Sequence, residues 1–441
     1  MKDNRLKCFF VVAIMILMNV GLHTNAQPVD SIQYYLEIAG RNNPKIQSDF
    51  LKYESTLEKI TQAGAYPDPT LDIGFFLKPM DIIDGKQVAD FTLMQMFPWF
   101  GTQKAAQTEA AQMSKMAYEE FRLSVNNLFL DVYKQWYELS SLQQQLKNSE
   151  ANRRSLVQLE SLATRKYSSS SANSGNMSSS SGSMSDVLRI QLEVAELENT
   201  IESIEAEIIA KKSAFNALLN QPSLSPVTVP DTIIKTPYVF NIAAVMEQIE
   251  HRNPRLLMIN EEKLAYEARA VADKKKSYPT VGIGVQYSLI NKRSNMLLPV
   301  SDMNGMDMFM PMVSISLPLF RGKYKAQQKE SELAIMSNTK LFEDTQNSLE
   351  AEVYQIKHEL DDAARKIELY KKQSQIAQAT YRLLVQEFIS GKNELTNLIQ
   401  VHRQLLDYTF KEADAVAKYN TVVASIKSLI SYNTPEQFNP K

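Results

Sequence analysis

The chain has 441 residues, of which 44% are hydrophobic and 22% are charged, which is ample for a folded protein. Its mean hydropathy of -0.28 and its 13 glycines argue against a bundle of membrane helices. A formal net charge of -2 at pH 7 gives no reason to expect nucleic acid as a partner.

The N-terminus predicts a secretory signal. Three cations within the first seven residues precede the apolar run 9–20, and small residues end at Ala26. The apolar run is shorter than the ~20 residues that span a bilayer, so a retained anchor is the less favoured alternative. We therefore predict a signal peptide at residues 1–26, whose loss, three cations and Asp3 included, moves the formal net charge from -2 to -4.

The only cysteine is Cys8, which lies before any plausible cleavage site. The mature chain is therefore expected to contain no cysteine and to carry no lipid on a cysteine of its own. An exported protein without disulfides must be stabilised by packing or by assembly.

One short stretch occurs twice, as Phe-Pro-Trp-Phe-Gly-Thr-Gln-Lys at 97–104 and as Leu-Pro-Leu-Phe-Arg-Gly-Lys-Tyr-Lys at 317–325. Each copy follows an alternating apolar segment and carries a proline, which cannot continue a sheet ladder. A long helical pattern begins after each copy. The sequence thus predicts the same strand-to-helix junction at two places.

Four segments alternate between apolar and small or polar residues and are predicted as strands. They have the length and two-residue period of strands that cross an outer membrane, although pattern alone leaves a soluble sandwich edge as an alternative. Four strands cannot close a barrel, so other subunits would have to contribute. The predicted strands are about 70–78, 89–97, 280–289 and 308–317.

Three long segments place apolar residues at alternating steps of three and four, the spacing of a coiled-coil seam, and a fourth predicted helix closes the second repeat. The first would form a helix about 100 Å long at 1.5 Å per residue. It is followed by the Ser-rich stretch 168–185, which is predicted to be a flexible surface loop. The predicted long helices are about 102–167, 186–220, 322–388 and 394–430.

The chain also repeats itself on a larger scale. Asn43-Pro44 recurs 210 residues later as Asn253-Pro254, and Tyr66-Pro67 recurs 212 residues later as Tyr278-Pro279. Two such copies predict one duplicated domain rather than a solenoid. The predicted divisions after the signal are a first repeat at 27–221, a crossover at 222–238, a second repeat at 239–432 and a C-terminal tail at 433–441.

In this order and in duplicate, these motifs resemble the TolC family of outer-membrane efflux proteins over nearly all of the mature sequence. The two junctions, the paired Asn-Pro turns, the paired Tyr-Pro strand starts and the stretch 388–395 carry the resemblance. It implies a mixed α+β membrane protein in which three subunits share a transmembrane β-barrel, four strands from each, above a long α-helical coiled-coil barrel.

The resemblance also implies a function, which is a passive exit duct in the cell outer membrane with a long periplasmic extension. The expected partners are two further copies in a homotrimer, a periplasmic adaptor (membrane fusion) protein, an inner-membrane transporter of the resistance-nodulation-division type or similar, and outer-membrane lipid. No cofactor is expected.

Family likeness places both helix-to-helix turns at a periplasmic tip, where the adaptor docks and the tunnel is gated. The stretch 168–185 departs from the short family turn, which leaves the first half of this surface open. For Asp186 and Glu394, helix capping is the alternative role. The matching tip residues are Tyr167, Asp186, Leu188, Phe388, Gly391, Asn393, Glu394 and Leu395, and those of a membrane-interface aromatic girdle are Trp99, Phe100, Leu319 and Phe320.

Methionines crowd the second predicted extracellular loop and the strand after it. Thioethers suit Cu(I) and Ag(I), although methionine is also a common adaptable filler. The sequence of residues 95–101 is similar to that of the heavy-metal-efflux branch of the family. Metal efflux is therefore one hypothesis for the function, and drug or bile-salt efflux and type I protein secretion are the alternatives. The methionines concerned are Met296, Met303, Met306, Met308, Met310 and Met312.

An enzyme is not expected. The mature histidines His251, His358 and His402 lie on predicted helices without a partner at metal-ligand or triad spacing, and no phosphate-binding glycine loop occurs. The alternative of a different class is a periplasmic coiled-coil scaffold or adaptor. Adaptors carry a helical hairpin flanked by small β domains, whereas here the strands lie between helices in both copies.

Overall fold

The computed structural model describes residues 32–172, 183–293 and 302–431. The predicted signal peptide, most of the Ser-rich stretch, Met296 and the predicted tail lie outside these ranges. In chain order the elements are α1 (Ile32–Asn42), α2 (Pro44–Gly64), β1 (Thr70–Ile82), β2 (Gly85–Phe97), α3 (Thr102–Ala172), α4 (Met184–Leu218), α5 (Ile242–Arg252), α6 (Pro254–Lys276), β3 (Thr280–Asn291), β4 (Met308–Ser316), α7 (Arg321–Ile389) and α8 (Leu395–Leu429).

The strands form one antiparallel sheet in the order β1-β2-β3-β4. Strand β1 continues four residues beyond its predicted end at 78 and includes Pro79. Proline is tolerated there because β1 is an edge strand, and the register shifts between Phe75 and Met80. Gly85 begins β2 at a φ of 140°, which lets the hairpin turn tightly.

The two faces of the sheet differ in chemistry. Leu93, Val285 and Pro311 lie side by side on one face, and the neighbouring Met94, Gly284 and Met312 lie side by side on the other. Large apolar side chains on the first face are solvent-exposed within the single chain. The exposed members include Leu71, Ile73, Phe75, Leu93, Ile283, Phe309, Val313 and Ile315. A contiguous apolar face of this kind marks a surface that another molecule covers.

The helices form a long bundle below the sheet. Helix α3 has 71 residues, which corresponds to roughly 105 Å at 1.5 Å per residue. It packs against α2, α4, α6 and α8, and α7 packs against α6 and α8. No helix within the described ranges is long and apolar enough to cross a membrane.

Apolar side chains fill three clusters along this bundle. One belongs mainly to the first half of the chain and includes Phe121 and Phe215, and a second belongs mainly to the later half and includes Leu349 and Val423. The third draws on both halves near the helix ends and includes Ile190, Phe388 and Leu398. The third cluster therefore extends the apolar packing to the helix ends that flank the turns.

The helix that precedes the Ser-rich stretch is longer than predicted. Helix α3 ends at Ala172 rather than at 167, and α4 begins at Met184 rather than at 186. Serine is tolerated within a helix when its hydroxyl bonds to the carbonyl one turn earlier, as Ser168 Oγ does by donating to the Thr164 carbonyl at 2.9 Å. The ends of α7 and α8 lie within one residue of their predicted positions.

The recurring Asn-Pro turns act as three-way helix junctions. The Asn43 backbone N–H donates to the Ala39 carbonyl of α1, and its Oδ1 accepts from the first N–H groups of α2. Its Nδ2 donates to the carbonyl of Leu218, the last residue of α4, at 2.9 Å. Asn43 therefore binds the ends of three helices.

Asn253 repeats this pattern in the later half. Its N–H donates to the Ile249 carbonyl, its Oδ1 accepts from the Arg255 N–H, and its Nδ2 donates to the carbonyl of Leu429, the last residue of α8, at 2.9 Å. Both asparagines are buried, so a lost partner would not be replaced by water.

We expect Asn253→Ala to lower the free energy of unfolding by about 1–3 kcal/mol, because it removes a cap and leaves the buried Leu429 carbonyl without a partner. Asn253→Asp should retain the cap of α6 but lose the bond to Leu429. Denaturant unfolding of the purified protein measures both.

The matched control is Asn241→Ala. Asn241 is an exposed N-cap whose side chain accepts only within its own turn, from the Ala244 N–H at 3.2 Å. Its loss should cost about 1 kcal/mol or less. Equal destabilisation by the Asn241 and Asn253 variants would contradict the three-way role.

Candidate functional site

The turn between α7 and α8 is built around a glycine. Gly391 has a φ of 73°, and the chain closes through Gly391 N–H to the Phe388 carbonyl and Lys392 N–H to the Glu387 carbonyl. This geometry ends a helix in a left-handed residue, which glycine adopts without a Cβ penalty. Asn393 then accepts from the Glu394 N–H and the Asn397 Nδ2, each at 2.8 Å, and so opens α8.

The two acidic residues proposed for the tip differ in their local role. Asp186 closes a capping box, since its carboxylate accepts from the Ser183 N–H. Glu394 occupies the N-cap position of α8 but makes no side-chain cap hydrogen bond. The capping alternative therefore describes Asp186 and does not describe Glu394.

Six of the eight predicted tip residues line a single open cavity of about 630 Å³. They come from both halves of the chain, and the resemblance assigns the residues of each half to the tip independently. These six are Asp186, Phe388, Gly391, Asn393, Glu394 and Leu395. Tyr167 and Leu188 are not part of its lining and are exposed to solvent close by.

Two cations that the sequence did not single out connect the helix pairs at this cavity. Lys166 of α3 donates to the Phe388 carbonyl at 2.8 Å, and its Nζ lies 4.7 Å from the centre of the Phe388 ring. Arg189 of α4 donates to Thr396 Oγ1 at 2.8 Å. Both partners are more than 200 residues distant, so no local sequence signal could have revealed them.

A second connection lies further up the bundle. Arg403 of α8 binds the Glu193 carboxylate through Nε at 2.9 Å and Nη2 at 2.5 Å, and it also reaches Glu196 at 2.9 Å. Glu193 is mostly buried, and its hydrogen bonds with Arg403, together with its charge, raise the pKa of the Arg403 guanidinium. This fork joins α8 to α4, the two helices that leave the tip turns.

His402 lies beside that fork and is only 3% exposed. Its Nε2 has no hydrogen-bond partner among the described residues, and its ring centre lies 5.5 Å from that of Tyr381 on α7. Burial lowers the pKa of His402, while the carboxylate of Glu193 opposes that shift and Arg403 reinforces it. His402 is therefore a buried residue between the helices, and its burial favours the neutral imidazole.

The predicted girdle residues lie together at one end of the sheet, because Phe97 pairs with Val281 and Val281 pairs with Ile315. Trp99 stacks on Tyr278 with ring centres 5.2 Å apart. The Phe100 carbonyl accepts from Lys275 Nζ at 3.1 Å, which ties the first junction to α6. Apart from Trp99, the girdle side chains are strongly exposed, at 85% for Phe100, 76% for Leu319 and 86% for Phe320.

The structure describes five of the six methionines that the sequence analysis singled out. Met303 and Met306 lie in exposed turns before β4, and Met308, Met310 and Met312 share the face of the sheet that carries the glycines. Within the residues that the structure describes, no group of three or more His, Cys, Asp or Glu side chains could hold a metal ion.

Known proteins share this architecture. Residues 245–431 match the family model described as outer membrane efflux protein. A comparison with curated proteins found no match. The fold is similar to that of the outer-membrane channel OprN, with a TM-score of 0.70 and 14% identity over 90% of this chain and 89% of that chain.

Two further solved structures are similar. The outer membrane protein VceC from Vibrio cholerae gives a TM-score of 0.68 and 15% identity over 90% of this chain and 95% of that chain. CusC, described in connection with transmembrane channel formation, gives 0.70 and 16% identity over 90% and 91%. The predicted fold class, with long helices and four antiparallel strands per chain, is thereby confirmed.

The buried His402 generates a pH prediction. Its ordinary pKa is about 6.5 and its folded pKa is lower, so the unfolded chain takes up the proton first as the pH falls. The stabilising effect is complete above about pH 6.5 and is lost as the pH drops through the folded pKa. We expect the stability difference between about pH 7.5 and pH 5.5 to shrink in His402→Leu.

The control for this experiment is His358→Leu, which removes an exposed histidine from α7. Denaturant unfolding at the two pH values measures both variants. If His358→Leu reduced the pH dependence as much as His402→Leu, the buried ring would not be its source.

Proposed function

We propose that this chain, a TolC-family outer membrane efflux protein, works as a homotrimer that forms the outer-membrane exit duct of a tripartite pump. Proteins of this family are efflux channels rather than enzymes. In the proposed assembly, substrate enters at the helix tips, passes along a tunnel of α3, α4, α7 and α8, and leaves through a barrel to which each subunit gives four strands.

The exposed apolar face of the sheet is the observation that carries this proposal. Among the described residues of the single chain, strands β1 and β4 also leave their outer edges unpaired. In lipid, an open edge would leave backbone groups without hydrogen bonds at several kcal/mol each, so sheets from three copies must pair edge to edge. The apolar face then contacts lipid, and the face with glycine, serine and methionine lines the lumen.

The same face argues against the periplasmic scaffold or adaptor. A soluble scaffold would bury these side chains or replace them with polar residues. The proposal includes export through the predicted signal peptide at 1–26 and an outer-membrane location with a periplasmic extension.

The exposed girdle side chains fit the level at which such a barrel leaves the membrane. Phe100 and Phe320 project from the two junctions, where aromatic and large apolar groups favour the interface between lipid and water. Lys275 lies at this level and donates to the chain at Phe100.

The tip cavity is the proposed docking site for a periplasmic adaptor, which would connect the duct to an inner-membrane transporter of the resistance-nodulation-division type or similar. Support comes from the convergence of residues from both halves on one cavity, and from Glu394, whose carboxylate makes no cap hydrogen bond. Tyr167 and Leu188 would extend this surface because both are exposed beside it.

For the cargo we favour heavy-metal cations such as copper or silver over drugs, bile salts or secreted proteins. The methionines on the proposed lumen face support this choice, because thioethers prefer soft cations. A deletion strain should become sensitive to copper and silver salts. Sensitivity to dyes or bile salts alone would remove the metal assignment while leaving the duct.

The membrane orientation of the sheet can be tested on adjacent residues of β4. Val313→Lys should cut the yield of heat-sensitive trimer in outer-membrane fractions severely, since a lysine facing lipid near the bilayer centre costs about 2–4 kcal/mol. Ser314→Lys, on the opposite face, should assemble almost normally. Equal yields, or a soluble monomer in both cases, would contradict the barrel.

Charge reversal at the tip tests docking. Glu394→Arg should leave trimer yield unchanged, because the side chain makes no cap bond, yet reduce efflux and adaptor cross-linking several-fold. Glu368→Arg, which alters an exposed carboxylate higher on α7, is the control. Full efflux in the Glu394 variant would place docking elsewhere.

A further inference from the structure

The register of the sheet brings methionines and glycines together on the face proposed to line the lumen. Met94 lies opposite Gly284, which lies opposite Met312. One step along, Met96 lies opposite Gly282, which lies opposite Ser314. Each central glycine is therefore flanked by longer side chains from β2 and β4.

Two methionine sulfurs converge over these glycines. A Cβ atom on Gly282 would lie 2.5 Å from Sδ of Met96 and 3.1 Å from Sδ of Met94. A Cβ atom on Gly284 would lie 2.9 Å from the same Met94 sulfur. The two sulfurs share one small space that exists only because β3 has glycine there, and both side chains are half-buried.

From this convergence we infer that Met94 and Met96 form a thioether binding site for a soft monovalent cation, Cu(I) or Ag(I), on the inner face of the barrel. The inference rests on the proposed function, because this face meets the exported substrate only if three sheets close around a lumen. It adds a site made of residues from β2, outside the group of methionines in and after the second loop.

The chemistry of the donors selects the ligand. Thioether sulfur is a soft, neutral ligand, so it prefers Cu(I) and Ag(I) to hard cations and needs no deprotonation to bind them. Methionine as filler explains occupied space above a glycine, but leucine would fill that space equally well. Filler alone does not require the sulfur atoms of two residues to lie within 3.1 Å of the same position above Gly282.

The remaining methionines continue the site toward the loop end of the sheet. Met312, Met310 and Met308 follow at every second residue of β4 on the same face, a spacing of about 7 Å. Met306 lies just before that strand and is exposed. A cation released from Met94 and Met96 thus finds further thioethers within short steps, which favours weak, successive binding over trapping.

The test compares Met94→Leu/Met96→Leu with Met184→Leu/Met336→Leu, a control pair of exposed methionines on α4 and α7. Leucine conserves volume, so assembly should persist. The predicted signal cleavage after Ala26 removes Cys8, the only cysteine, so no thiol of the mature protein competes for the metal. Purified trimers receive silver nitrate alone in chloride-free buffer, and binding is measured by equilibrium dialysis and by X-ray absorption for silver–sulfur distances.

We expect the wild-type and control proteins to bind Ag(I) at least tenfold more tightly than the Met94/Met96 variant, with sulfur as the ligand. Equal binding by all three proteins, or silver without sulfur ligands, would overturn the site. Potassium conductance of the same trimers in planar bilayers tests the duct separately. Normal conductance without Ag(I) binding refutes only the site, whereas Ag(I) binding without conductance refutes the duct and with it the transport role of the site.

Discussion

The pairing of β2 with β3 is the interaction on which the rest of the structure depends. These strands come from different halves of the chain, and their ladder runs from Lys86 with Asn291 to Phe97 with Val281. It sets both strand-to-helix junctions at one level and both apolar faces on one side. A slip of one residue would turn every side chain of one half of the sheet to the opposite face, so that neither face would be uniformly apolar.

Local periodicity made much of the architecture predictable. A period of two marks a strand with two different faces, and alternating steps of three and four mark a long packed helix, so the alternating segments and helical seams could be located before any tertiary contact was known. The extension of β1 through Pro79 could not, because proline is tolerated only where the strand is an edge, and edge position depends on topology. Likewise, the composition of the serines after Tyr167 predicts a loop, although the helix continues to Ala172.

The candidate site shows a similar division. Gly391 and Asn393 could be predicted because their turn chemistry is local, and the structure places them at the α7 to α8 turn. Other features depend on residues that are distant in the sequence. They are the contacts of Lys166 and Arg189, the lack of a hydrogen bond at His402 Nε2 among the described residues, and the convergence of Met94 with Met96. Their geometry follows from register and helix packing, for which composition and spacing contain no direct signal.

The two buried asparagines have a consequence for how such a chain can arise. Asn43 and Asn253 each hold the first helices of one half against the last residue of that half's final helix. Each half therefore starts and finishes at the same place in space. A tandem copy can then be joined by one connector. The residues between Leu218 and Ile242 link the two halves here, and Val227 and Ile233 of this segment join the buried clusters. Gene fusion of two self-closing units is thus sterically simple in this architecture.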